Sequence, residues 1–104
     1  LALPSEASFS SDLAPERARH LAESRRVADA RALLLAGDAR RALLELEAVR
    51  KDFPRGLLAQ EREALAIEAL GLLGERSEAR QRADNFLRQY PGSPHATVVR
   101  KFLE

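Results

Sequence analysis

His20, Ser93, His95 and the glutamates Glu61, Glu63 and Glu68 are the residues with the chemistry to bind a metal or move a proton. His20 and His95 have no ligand spacing to each other. Each therefore reads as a surface or rim histidine rather than a metal ligand or general base. Di-metal sites in helical bundles use an inward Glu followed three residues later by His. No His follows Glu61, Glu63 or Glu68 in that way, so these carboxylates are expected on a solvated face. Ser93, just before Pro94, is a helix cap first, because no strand–turn–helix elbow surrounds it. Gly37, Gly71, Gly74 and Gly92 lack the preceding strand and the Gly-Lys-Ser/Thr of a phosphate loop, so they are expected to punctuate or pack helices. Arg80, Arg82 and Arg88 form a basic strip, but Glu78 and Asp84 interrupt it, which predicts an ion-paired surface. The expectation is a chain that is not an enzyme, with no catalytic site, no metal and no cofactor.

The composition agrees with that reading. The chain has 104 residues and a net charge of +1, from 17 basic and 16 acidic side chains. That balance provides no electrostatic footprint for nucleic acid or for an anionic membrane surface. There is no cysteine, so disulfides and thiolate metal sites are excluded. No apolar run is long enough to cross a bilayer, so no direct membrane insertion is expected in this stretch. The opening Leu1 is expected of an excised or processed piece of a longer protein. Leu, Ala, Arg and Glu dominate, which is the vocabulary of helices.

Residues 1–12, LALPSEASFSSD, are Ser-rich and aperiodic, and are expected to be a flexible linker, with Phe9 free to dock on the first helix. The remainder, 13–104, is expected to be one helical domain. A first helix should start near Asp12 to Pro15 and run to Ala36, where Gly37 ends it. Two apolar stripes lie along it at helical spacing, Leu21, Ala28, Leu35 and Val27, Ala30, Leu34. Its exposed face is expected to hold Glu23, Arg25, Arg26, Asp29 and Arg31, with Arg25 and Asp29 an i,i+4 pair. Asp38 should cap a second helix, Ala39 to Asp52, that Pro54 stops. A third is expected over Leu57–Leu73, a fourth over Arg76–Gln89, and a last over Pro94–Leu103 with Ser93 as its cap.

The second half echoes the first at a constant offset. Gly37, Ala42, Phe53 and Pro54 return 37 positions later as Gly74, Ala79, Tyr90 and Pro91. Units of about 23–56 and 60–93 follow, with 94–104 as a partial third or capping helix. Gly37-Asp38, Ala42, Leu46 and Pro54, then Gly74-Glu75, Ala79 and Pro91, resemble the turn, small, large and terminal-proline positions of the tetratricopeptide repeat (TPR). The phrase NFLRQYPGSPHA, Asn85 to Ala96, is similar to junctions in bacterial periplasmic TPR-like proteins, among them outer-membrane assembly lipoproteins and coordinators of the Tol-Pal system. Arg26 and Glu63 stand where the repeat has Trp, and the period is longer than the usual 34 or so. Of the set with which some TPR domains clamp a terminal carboxylate, only Arg31 has a counterpart.

The resemblance implies an all-α, TPR-like right-handed stack of antiparallel helical hairpins, about five helices. It further implies a non-enzymatic protein-interaction module, the extracytoplasmic domain of a membrane-tethered bacterial envelope protein. The placement is periplasmic or extracytoplasmic, with the cytoplasm kept open. The alternative reading is an oligomerisation or sensor/regulatory domain of a larger signalling or transcription-control protein. The partner expected is a protein or peptide and not a nucleic acid; pairing of two copies is also admitted. The concave face implied by the register holds Val27, Arg31, Leu34, Leu35, Glu61, Ala64, Glu68 and Leu72. Apolar residues flanked by charges of both signs suit an extended peptide or a partner helix. The register has a direct test. Ala79→Trp is expected to cost about 1–3 kcal/mol through overpacking, seen as a lower thermal midpoint; an unchanged midpoint would refute the alignment.

Overall fold

The helical signals act locally, and the helices form where the caps and breakers sit. The computed structural model describes residues 3–104, with side chains from residue 14 onward. In chain order the helices are α1 (Leu3–Leu35), α2 (Ala39–Asp52), α3 (Ala59–Leu72), α4 (Arg76–Gln89) and α5 (Ala96–Arg100), followed by a 3-10 turn at Lys101–Leu103. Asp38 caps α2, its carboxylate accepting the Arg41 backbone N–H at 3.2 Å. Two glycines end α1 and α3 alike. Gly37 and Gly74 have φ of 87° and 80°, a left-handed conformation that favours glycine. Asp38 N–H donates to Leu33 C=O at 2.8 Å, and Glu75 N–H to Leu70 C=O at 2.9 Å. These are the six-to-one bonds of a Schellman ending.

Several boundaries differ from expectation. α1 begins at Leu3, within the stretch assigned to a linker. Ser is neutral rather than helix-breaking, and Pro4 sits in a first turn that needs no N–H. The helix also continues through Pro15, which removes one ladder donor. The Phe9 side chain lies outside the described residues. α3 starts at Ala59, and α5 starts at Ala96 and tightens to 3-10 geometry after Arg100. Ser93 Oγ accepts the His95 N–H at 3.1 Å, so this serine shapes the turn before α5 instead of capping the helix.

The helices stack as antiparallel hairpins, α1 on α2, α2 on α3, α3 on α4, and α4 on α5. Two cores lie between the layers. The first joins Val27, Ala30, Leu46, Val49, Leu65 and Ala66. The second joins Ala64, Ile67, Ala83, Phe86 and Val99. Val27, Ala30, Leu46 and Val49 correspond, at the 37-residue offset, to Ala64, Ile67, Ala83 and Phe86. Two positions shrink and two grow, so each layer fills its space with a different distribution of volume. α3 is buried on nearly all sides, as befits a helix packed between two layers. Gly71 makes this possible at its end, because a Cβ there would meet the Phe102 ring. Ala42 and Ala79 are both buried.

One ion pair fastens the first hairpin to the next helix. Glu23 on α1, expected on the exposed face of that helix, is instead 1% exposed, because Arg62 on α3, also buried, reaches across to pair with it. Arg62 donates to Glu23 Oε2 at 2.8 Å and to Pro54 C=O at 3.3 Å. The Leu58 N–H donates to the same carboxylate oxygen at 3.3 Å. A Cβ at Gly56 would collide with that carboxylate, so the turn can approach it only with glycine. Removing one partner of such a pair strands a buried charge. Glu23→Ala is therefore expected to cost about 3–5 kcal/mol in urea unfolding, and the double change Glu23→Leu with Arg62→Met to recover most of it. A single-variant loss below about 1 kcal/mol would show that the clamp is not structural.

Candidate functional site

α1 and α3 run in the same direction, and their shared side carries the expected contact residues. Val27 and Ala64 are corrected here. They are 1% and 4% exposed and belong to the two cores, so they offer no surface. Short or β-branched side chains on this side let the neighbouring helix approach and cover them. Leu34 packs against the first core and is half-buried. Arg31 and Glu61 bridge α1 to α3 at 2.6 Å. Leu35 and Leu72 remain 84% and 67% exposed. They occupy the last helical position of α1 and of α3, each two residues before its left-handed glycine.

Glu68 departs from the solvated role expected of it. It is half-buried, and burial raises its carboxyl above the usual value, against the opposing charges of Lys101, Arg31 and His95. Glu61 and Glu63 are not free carboxylates either, since each holds an arginine. His20 is exposed and His95 half-buried. Among the described residues no group of three or more His, Cys, Asp or Glu side chains could hold a metal ion.

The most polar feature lies elsewhere, in a groove of about 760 Å³ lined from α2, α3 and α4. Arg82 donates to both oxygens of Glu63 at 2.9 and 2.7 Å and to Glu47 at 2.8 Å. These bonds, Glu63 first, raise its guanidinium above the ordinary arginine value, so it stays charged. The expected ion-paired surface is present, with Arg88–Asp84 at 2.7 Å beside it. The position one unit earlier carries the same pairing with the signs exchanged. Arg26 donates to Glu45 at 3.0 Å and to Asp52 at 2.6 Å, and lies 5.9 Å from the centre of the Phe53 ring. Arg26 and Glu45 correspond to Glu63 and Arg82 at the 37-residue offset. Positions 26 and 63 thus each hold an interhelical ion pair. Only the coordinated reversal at both positions could have disclosed it from sequence. Arg82 and the groove's glutamates are engaged with one another, while Lys51 at its edge makes no ion pair among the described residues.

No protein-family model, curated protein or solved structure matches the chain.

The Glu68 environment has a defined pH consequence. Its folded value lies above the usual 4.5, so within that window the folded state holds the proton more tightly. Stability then falls as pH rises from the usual value through the raised one, and is level beyond it. Glu68→Gln removes this fall. Its stability relative to the parent is expected to rise from about pH 4 to about pH 7, read from urea midpoints at each pH. A constant difference across that range would contradict the assignment.

Proposed function

We propose that this chain is a TPR-like, non-enzymatic interaction module that binds a peptide segment across α1 and α3. The observation that carries the reading is the pair of leucines at equivalent helix ends, Leu35 and Leu72, both largely in solvent. Adjacent packed helices lie roughly 8–10 Å apart, a spacing that a peptide in polyproline II conformation matches with side chains three residues apart on one face, about 9 Å. On the same two helices the Arg31–Glu61 pair and half-buried Glu68 supply polar groups of both signs. A site of that kind orders a peptide by apolar anchors and a polar rim.

The resemblance of the Asn85–Ala96 junction to periplasmic TPR-like proteins supports placing the parent protein in the bacterial envelope, with this domain on the extracytoplasmic side of a membrane tether. No described helix is long and apolar enough to cross a membrane.

Peptides selected from a random library on immobilised protein test the binding reading. Amide shift mapping is expected to centre on Leu34–Leu35, Glu68 and Leu72, and Leu35→Glu with Leu72→Glu to weaken binding by about tenfold or more. Perturbations confined to α2 and α4 would reject the α1–α3 face.

A further inference from the structure

α1 carries two apolar stripes, and the hairpin uses only one. Val27, Ala30 and Leu34 enter or cover the first core. Ala18, Leu21, Arg25, Ala28, Ala32 and Leu35 are all exposed, Leu21 at 62% and Leu35 at 84%. Their spacings of three, four, three, four and three are those of a coiled-coil seam. At about 100° per residue this seam faces directly away from the core stripe. Nothing among the described residues covers it.

We propose that this seam is a dimer interface, occupied by α1 of a second copy of this chain running antiparallel. The composition of the seam selects that occupant. With Leu21 set opposite the partner's Ala32, Leu35 falls opposite Ala18 and Arg25 opposite Ala28. Every layer then joins a large side chain to an alanine, the arrangement that fills space between closely approaching helices. The two-fold axis repeats each layer in reverse, so the same patch is its own complement. The charges agree. Arg25 and Asp29 sit at an i,i+4 spacing that predicts a pair within the helix, yet among the described residues neither makes an ion pair. In the antiparallel register each Arg25 stands beside the other copy's Asp29, giving two reciprocal pairs. The seam lies on the opposite side of α1 from the core and is separate from the peptide face argued above, apart from Leu35 at its end.

Sedimentation equilibrium of the full chain over a wide concentration range tests the proposal. A species of twice the 11.5 kDa chain mass is expected to grow with concentration. Ala28→Glu, at an exposed position, is expected to weaken association by about tenfold or more with unchanged helicity, and Leu57→Glu to leave it unaltered. Arg25→Glu is expected to weaken association, and Arg25→Glu with Asp29→Arg to restore it. The chain has no cysteine, so Leu21→Cys with Ala32→Cys reports the register by oxidative crosslinking. A monomer at every concentration overturns the proposal, as does a dimer insensitive to Ala28→Glu. Crosslinking by Leu21→Cys alone or by Ala32→Cys alone overturns the antiparallel register, in which like positions lie eleven residues apart along the axis.

Discussion

The buried contact between Glu23 and Arg62 sets the geometry on which the rest of the stack depends. It joins α1 to α3 across 39 residues of sequence, and in doing so it holds the turn between α2 and α3. The turn's own polar groups complete it, through the Leu58 N–H and the Pro54 carbonyl. An ion pair taken out of water is a poor source of net stability unless its hydrogen bonds are satisfied. Here they are, and the return is geometric. A side chain at Gly56 would have to displace that carboxylate from its hydrogen bonds, so glycine lets the turn close directly over it. The corresponding turn before α5 has no such clamp. Gln60 stands in place of Glu23, Val99 in place of Arg62, and Ser93 in place of Gly56. There the Ser93 hydroxyl organises the turn from within.

Outside that clamp the two layers solve one packing problem with different residues. Val27 and Ala30 against Ala64 and Ile67 exchange volume within the first helix of each hairpin, and Leu46 and Val49 against Ala83 and Phe86 do so within the second. The polar contacts follow the same logic with charge. Arg26–Glu45 and Glu63–Arg82 occupy equivalent places with opposite polarity. The second arginine also reaches back to Glu47 in the preceding helix pair, so it links successive layers as well as the two helices of one. Carboxylates and guanidinium groups engaged in this way stiffen the stack and are withdrawn from any other chemistry.

Two of the surfaces that leave apolar groups in water involve α1. One crosses α1 and α3 and is anchored by leucines at matched helix ends. The other runs along the outer side of α1. They differ in what they suit. The first alternates exposed apolar and charged groups over two helices, a pattern for a peptide. The second is a narrow seam of leucine and alanine on one helix, a pattern for another helix. Leu35 ends the outer seam and also anchors the peptide face, so pairing of two copies and peptide capture compete for that side chain.

Much of the helical architecture was legible in the sequence, because caps and breakers act on the backbone beside them. Asp38, Pro54, Gly74 and Pro91 delimit α2 and α4 at the residues observed, and the 37-residue offset between Phe53 and Tyr90 is matched by turn bonds from Gly56 N–H to Phe53 C=O and from Ser93 N–H to Tyr90 C=O. The candidate site was legible only in part. Arg31, Leu35 and Leu72 are exposed, whereas Val27 and Ala64 are core and Leu34, Glu61 and Glu68 are half-buried. The reason is periodicity. Leu21, Ala28 and Leu35 satisfy a helical stripe as well as Val27, Ala30 and Leu34 do, and a period does not say which stripe another helix will cover. That choice, like the meeting of Glu23 with Arg62, is made by groups distant in sequence. Local hydrogen bonding decided where the helices begin and end; only docking decided which of their faces became interior.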